Sequence, residues 1–79
     1  MPASRPEAPD TSRQRLEARE SSILDAAELV FTRAGFDGAK MATIAQTAAV
    51  AEGTVYLYYR NKQDLLAGVV GRFWAHLTL

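Results

Sequence analysis

Two short apolar stripes separated by only about three residues constrain this 79-residue chain more than any other feature. Met41, Ile44, Ala45 and Ala48 recur at helical spacing and define a segment too brief to be stable as an isolated helix. A second segment begins near Ala51 and carries Val55 and Tyr59 four residues apart, with Val50 as the apolar residue entering the turn before it. So short a connection forces a sharp crossing between the two helices. Neither can stand alone, so flanking helices must hold the pair by tertiary packing.

The flanks supply them. From Arg13 onward, Leu16, Ile23, Leu24, Ala27, Val30, Phe31 and Ala34 recur at spacings of three, four and seven, which places them along one helical stripe. That helix is expected to stop at Gly35, which can take the left-handed conformation that closes a helix C-terminus, with Phe36-Asp37-Gly38 as the turn. After Arg60-Asn61 a fourth helix is expected, with Asn61 as N-cap and Asp64 in the first turn to complement the dipole. It runs through Leu65, Leu66, Val69, Val70, Phe73, Trp74 and Leu77. Its last turns are apolar on more than one side, as expected of a helix packed against more protein. Gly68 and Gly71 within it are spaced for close helix approach, or are simply two mildly destabilising residues.

The segment from Met1 to about Ser12 carries Pro2, Pro6 and Pro9 with few apolar side chains and reads as a flexible arm. Arg5, Arg13, Arg15 and Arg19 either brush a phosphate backbone from this arm or belong to a solvated tail, the plainer reading. The expected layout is therefore an arm over 1–12 and one helical domain over 13–79. The fold class is all-α, a small helical bundle.

Composition narrows the function. There is no cysteine, hence neither a disulfide scaffold nor a thiolate metal site, and no metal or cofactor is expected. A chain this short buries too little surface for a deep catalytic pocket. Its single histidine, His76, stands without an HExxH motif, a glycine-flanked serine or paired carboxylates in an apolar setting, so an enzyme is not expected. The N-terminus lacks the apolar core of a signal peptide and no apolar run is long enough to span a bilayer, which points to a soluble cytoplasmic protein without a membrane partner. The formal net charge is zero, whereas nucleic-acid binding ordinarily leaves a basic footprint. The distribution is more favourable: Glu17, Glu20, Asp25 and Glu28 fall in the first helix, while Lys40, Arg60 and Lys62 face Glu52 alone in the stretch from Lys40 to Lys62.

Two short helices joined by a tight turn, the second presented by a bundle beneath it, match the size and shape that the DNA major groove admits. Over nearly fifty consecutive positions the residues also resemble the tetracycline-repressor (TetR) family of bacterial regulators. Ile23-Leu24-Asp25-Ala26-Ala27 with Phe31 and Gly35-Phe36 looks like that family's first helix, and Ile44-Ala45 with Ala48 like its second. Val50, Gly53-Thr54-Val55-Tyr56 and Tyr59 look like its recognition helix, and Asn61-Lys62 with Leu65-Leu66 like the start of its fourth. The fold implied is a homeodomain-like three-helix core with a helix-turn-helix, plus the start of a fourth helix. The implied C-terminal ligand-binding and dimerisation domain is absent from this chain.

The resemblance implies a sequence-specific DNA-binding regulator of transcription, most often a ligand-responsive repressor that binds a palindromic operator in double-stranded DNA as a homodimer. It would be associated with the nucleoid when bound. A small-molecule effector would sit in the missing domain. Carried over, it puts Thr54 and Tyr56 at the DNA, Leu57 and Tyr58 toward the groove floor, and Lys62 with the free backbone N–H groups of the fourth helix on a phosphate. Tyr59 takes the place of a buried aromatic. Lys40, Thr43, Glu52 and Gly53 complete the expected DNA-binding set.

Several positions depart from the family's pattern. Ala51 stands where serine is frequent, so the recognition helix lacks a side-chain cap typically worth about 1 kcal/mol. Glu52 suits the helix dipole but repels phosphate, unless it accepts a proton from the amino group of cytosine. Lys40 and Met41 replace capping hydroxyls, Ala42 a frequent arginine and Ala49 a common turn glycine. Binding is then expected to lean on apolar contact, backbone amides and DNA shape. The rival reading is a protein-binding helical module, which zero net charge, Glu52 and the apolar final helix would suit.

Overall fold

The computed structural model describes the backbone of residues 7–77 and the side chains of residues 12–75. The described residues form four helices: α1 (Glu7–Gly38), α2 (Met41–Ala48), α3 (Glu52–Tyr58) and α4 (Lys62–Leu77). No strand occurs among them. α1 packs on both α2 and α4, and α2 on α3.

α1 begins at Glu7, within the stretch expected to be a flexible arm. Pro9 falls in its first turn, where the missing N–H has no intrahelical partner to lose, so the proline does not oppose the helix. Met1 to Pro6, with Arg5 among them, lie outside the described residues. Leu16 does not join the core as its spacing predicts: it is 57% exposed, because burial along α1 begins only at Ile23, where the other helices come alongside. Ala34, also expected in the stripe, is exposed, and Phe31 is half-buried against the core.

Gly35 interrupts α1 as expected, with φ 76° and ψ 167°, but the chain then makes a further helical turn to Gly38. Phe36 folds back so that its ring lies 5.7 Å from that of Phe31. The Ala39 N–H closes this turn on the Gly35 carbonyl at 3.0 Å.

The core is an apolar cluster in which Ile23, Ala27, Ile44, Val55 and Leu65 are fully enclosed, and no polar side chain is buried among the described residues. Every one of the four helices therefore contributes at least one enclosed side chain. For the short α2 and α3 this burial replaces the stability their length cannot provide. α4 approaches α1 closely at Gly68, where a Cβ would stand 2.9 Å from Tyr59 Cε1 and 3.2 Å from Leu24 Cδ2. Gly71 faces open space, so close approach explains only the first of the pair. Arg72 ties the same two helices at the surface, donating to Asp25 at 2.8 Å and Glu28 at 3.1 Å.

The three residues between α2 and α3 are Ala49, Val50 and Ala51. Ala49 is left-handed, with φ 62° and ψ 40°; its N–H donates to the Gln46 carbonyl and that of Val50 to the Ala45 carbonyl. This is the Schellman closure of a helix, with half-buried Val50 as its hydrophobic contact. The left-handed region costs an alanine about 1–2 kcal/mol that a glycine avoids. Ala49→Gly is accordingly expected to stabilise the domain by about 1 kcal/mol, read as a higher denaturation midpoint; an unchanged or lower midpoint would contradict the strain.

α4 starts on Asn61, whose Oδ1 accepts the Asp64 N–H at 2.8 Å, while the Asp64 carboxylate accepts the Arg60 N–H at 3.2 Å. The expected N-cap is thus realised. The side chains of His76 and Leu77 lie outside the described residues.

Candidate nucleic-acid interface

α3 is seven residues long, and its two faces differ sharply. Val55 is enclosed and Tyr59, the residue that ends the helix, is 9% exposed. On the other side Leu57 is 84% exposed and Tyr56 46%. Leu57 and Tyr56 together leave an apolar and phenolic edge on the solvent side of a helix anchored from behind by Val55 and Tyr59. Glu52 and Gly53 are exposed beside it, and Thr54 is half-buried with its N–H on the Ala51 carbonyl at 2.9 Å.

α2 adds Lys40 and Thr43, both exposed. Thr43's carbonyl accepts the Thr47 hydroxyl at 2.9 Å. Lys40 and Ala51 occupy the N-cap positions of α2 and α3, and neither makes a side-chain cap. The first two N–H groups of each helix are consequently left for outside acceptors.

Two expected site residues lie differently from the rest. Tyr58 is half-buried and packs against the core, so much of its ring is occupied within the domain. Lys62 donates from Nζ to the Phe36 carbonyl at 2.7 Å and more weakly to Asp37 at 3.4 Å, and lies 4.6 Å from the centre of the Phe36 ring. It bonds the carbonyls at the end of α1 and so fastens the start of α4 to them. Sequence spacing alone gives no sign of this bond, because the partners are 26 residues apart.

Tyr59 is a buried aromatic, and its hydroxyl donates to Glu20 Oε2 at 2.6 Å. Burial, and then the adjacent carboxylate, push its pKa far above the ordinary 10.0. Because the fold favours the neutral phenol, this contribution is complete below pH 10 and is lost as pH rises beyond that value. Tyr59→Phe is expected to cost about 1 kcal/mol at neutral pH and to flatten the loss of stability above about pH 10, measured by thermal melts across the alkaline range. Equal alkaline sensitivity in both proteins would refute the coupling.

Among the described residues no three His, Asp or Glu side chains come together to hold a metal, and no helix is long and apolar enough to cross a membrane. What remains is a short, rigidly backed helix pair offering hydroxyl, phenol, amide and apolar groups to one side. This is a helix-turn-helix domain. The family model described as "Bacterial regulatory proteins, tetR family" matches residues 23–69, and the chain belongs to that family.

The chain is 46% identical over 44 residues to the fatty acid metabolism regulator protein of Bacillus subtilis, covering 56% of this chain and 23% of that protein. It is 37% identical over 54 residues to the HTH-type transcriptional repressor KstR of Mycolicibacterium smegmatis, covering 68% and 26% of the two chains. With the HTH-type transcriptional repressor BepR of Brucella suis the identity is 34% over 62 residues, covering 78% and 29%. The chain thus spans about a quarter of the length of the curated relatives it matches. No solved structure matches it.

Proposed function

We propose that this chain is the DNA-binding head of a ligand-responsive transcriptional repressor that acts in the cytoplasm and has no enzymatic activity. α3 enters the major groove of double-stranded DNA, with Gly53 allowing close approach and Thr54 and Tyr56 donating to phosphate or base edges. Leu57 meets a thymine methyl, the exposed edge of Tyr58 flanks it, and Glu52 faces a base donor. Lys40, Thr43 and the open first amides of α2 hold the backbone, and Lys62, bonded to the Phe36 carbonyl, fixes the start of α4 beside them. The observation that carries this reading is the outward face of α3, where Leu57 stands 84% exposed on a helix fixed from behind by Val55.

In the full-length protein two such heads would read a pseudo-palindrome, joined through a further domain that takes the effector. The exposed Val70, Phe73 and Trp74 of α4 support a place for more protein there. The test is selection of duplexes from a random pool by the full-length protein near physiological salt, followed by a salt titration of the winners. A palindromic consensus with steep salt dependence is expected. Tyr56→Phe with Leu57→Ala should weaken binding at least tenfold, since a hydrogen bond to a charged group alone is worth about 1.5–3 kcal/mol. Lys62 is unsuitable as the probe, because its loss would also unfasten α4 from α1. No enrichment by a folded protein would favour a protein-interaction module instead.

A further inference from the structure

We infer that the N-terminal part of α1 is a second phosphate-binding element, in which Arg15 and Arg19 hold the DNA strand bordering the groove that α3 enters. The inference rests on the reading of the chain as a DNA-binding head. α1 runs on past the bundle as a helix, exposed from Ser12 to Ser22, so these arginines stand on a continuous helical rod. They lie one turn apart on one face and, with Ser22, line the same hollow as Ala48, Ala49 and Val50. Two guanidinium groups therefore stand beside the turn that leads directly into α3.

Among the described side chains, the acidic residues of α1 near these arginines are engaged elsewhere or face away. Glu20 receives the Tyr59 hydroxyl, and Asp25 and Glu28 receive Arg72. Glu17, two residues from each arginine, projects from the opposite side of the helix at about 100° per residue. No ion pair among the described residues engages Arg15 or Arg19, whereas Lys62 is spent on the Phe36 carbonyl and Arg60 lies 3.9 Å from the Asp64 carboxylate.

A duplex that takes α3 in its major groove carries a wall of phosphates past the N-terminal end of that helix. There the turn itself offers only Ala48 to Ala51, and Glu52 offers repulsion. Arg15 and Arg19 supply what is missing: planar, permanently charged forks suited to bidentate contact with phosphate. A chain of zero net charge thereby gains a local basic footprint.

The test compares full-length wild type, Arg15→Gln/Arg19→Gln and Arg15→Lys/Arg19→Lys on the duplex that wild type itself selects. The glutamine pair is expected to flatten the slope of log K against log salt by about 0.9 for each phosphate no longer neutralised, about 1.8 per head, with the base consensus unchanged. The lysine pair should keep most of the slope. Both variants should melt with wild type, since the side chains are exposed. A wild-type slope in the glutamine pair, or a changed consensus at constant slope, would overturn the inference while leaving the α3 reading intact. Failure of wild type to select any duplex would instead sink that reading, and this inference with it.

Discussion

Ile44→Ala is expected to destabilise the domain by about 2–5 kcal/mol, the range for truncating a fully enclosed isoleucine in a core that relaxes only partly. Ile44 is 0% exposed and belongs to an eight-residue helix whose only other buried residues are Met41 and Ala45. α2 lies between α1 and α3, so the cavity opens beneath the helix pair itself. Small domains carry total stabilities of only about 5–15 kcal/mol, and the variant should be substantially unfolded at temperatures where wild type is folded. Chemical denaturation followed by circular dichroism checks this. A loss below about 1 kcal/mol would mean that α2 is not held by core packing.

Gly35→Ala is expected to cost about 1–3 kcal/mol for a different reason. At φ 76° and ψ 167° the backbone is in a region that side chains avoid, while an added Cβ would meet nothing within 4 Å. The penalty is conformational and cannot be relieved by repacking neighbours. Relaxation of residue 35 would re-aim Phe36, separating its ring from Phe31 and its carbonyl from Lys62. The same change therefore loosens the start of α4. Gly38→Ala is the control, because its Cβ would make only an ordinary 3.4 Å contact with Ala34 Cβ. For a domain of this size each kcal/mol shifts the melting midpoint by about 4–8 °C, so a drop of that order or more is expected for Gly35→Ala alone. Equal midpoints for the two variants would show that residue 35 is not constrained.

Most of the bundle is legible in the sequence. The apolar spacing of α2, the Asn61 cap, the break at Gly35 and the three-residue turn all appear where local chemistry places them, because each depends on residues within a turn of one another. Leu16 misleads for the same reason that Ile23 does not. Periodicity states that a side chain shares a stripe, and only the neighbouring helices state where that stripe is covered. Pro9 misleads as well, since a proline in a first helical turn opposes nothing. Of the candidate site, the outward place of Leu57 and Tyr56 and the burial of Tyr59 can be foreseen from the spacing and the family resemblance. The partial burial of Tyr58 and the Lys62 anchorage cannot.

The sequence by itself determined the four helices and, the N-terminal start of α1 apart, where they begin and end to within a few residues, and the family to which the chain belongs. These follow from periodicity, caps and motif order, which are properties of neighbours along the chain. Only the tertiary structure decided which cations are consumed and which remain for a ligand. Lys62 meets Phe36 across 26 residues, Arg72 meets Asp25 across 47 and Tyr59 meets Glu20 across 39. Charge is counted along a chain but acts through distance in space, and a net of zero hides how the folded chain pairs some charges and leaves others on its surface.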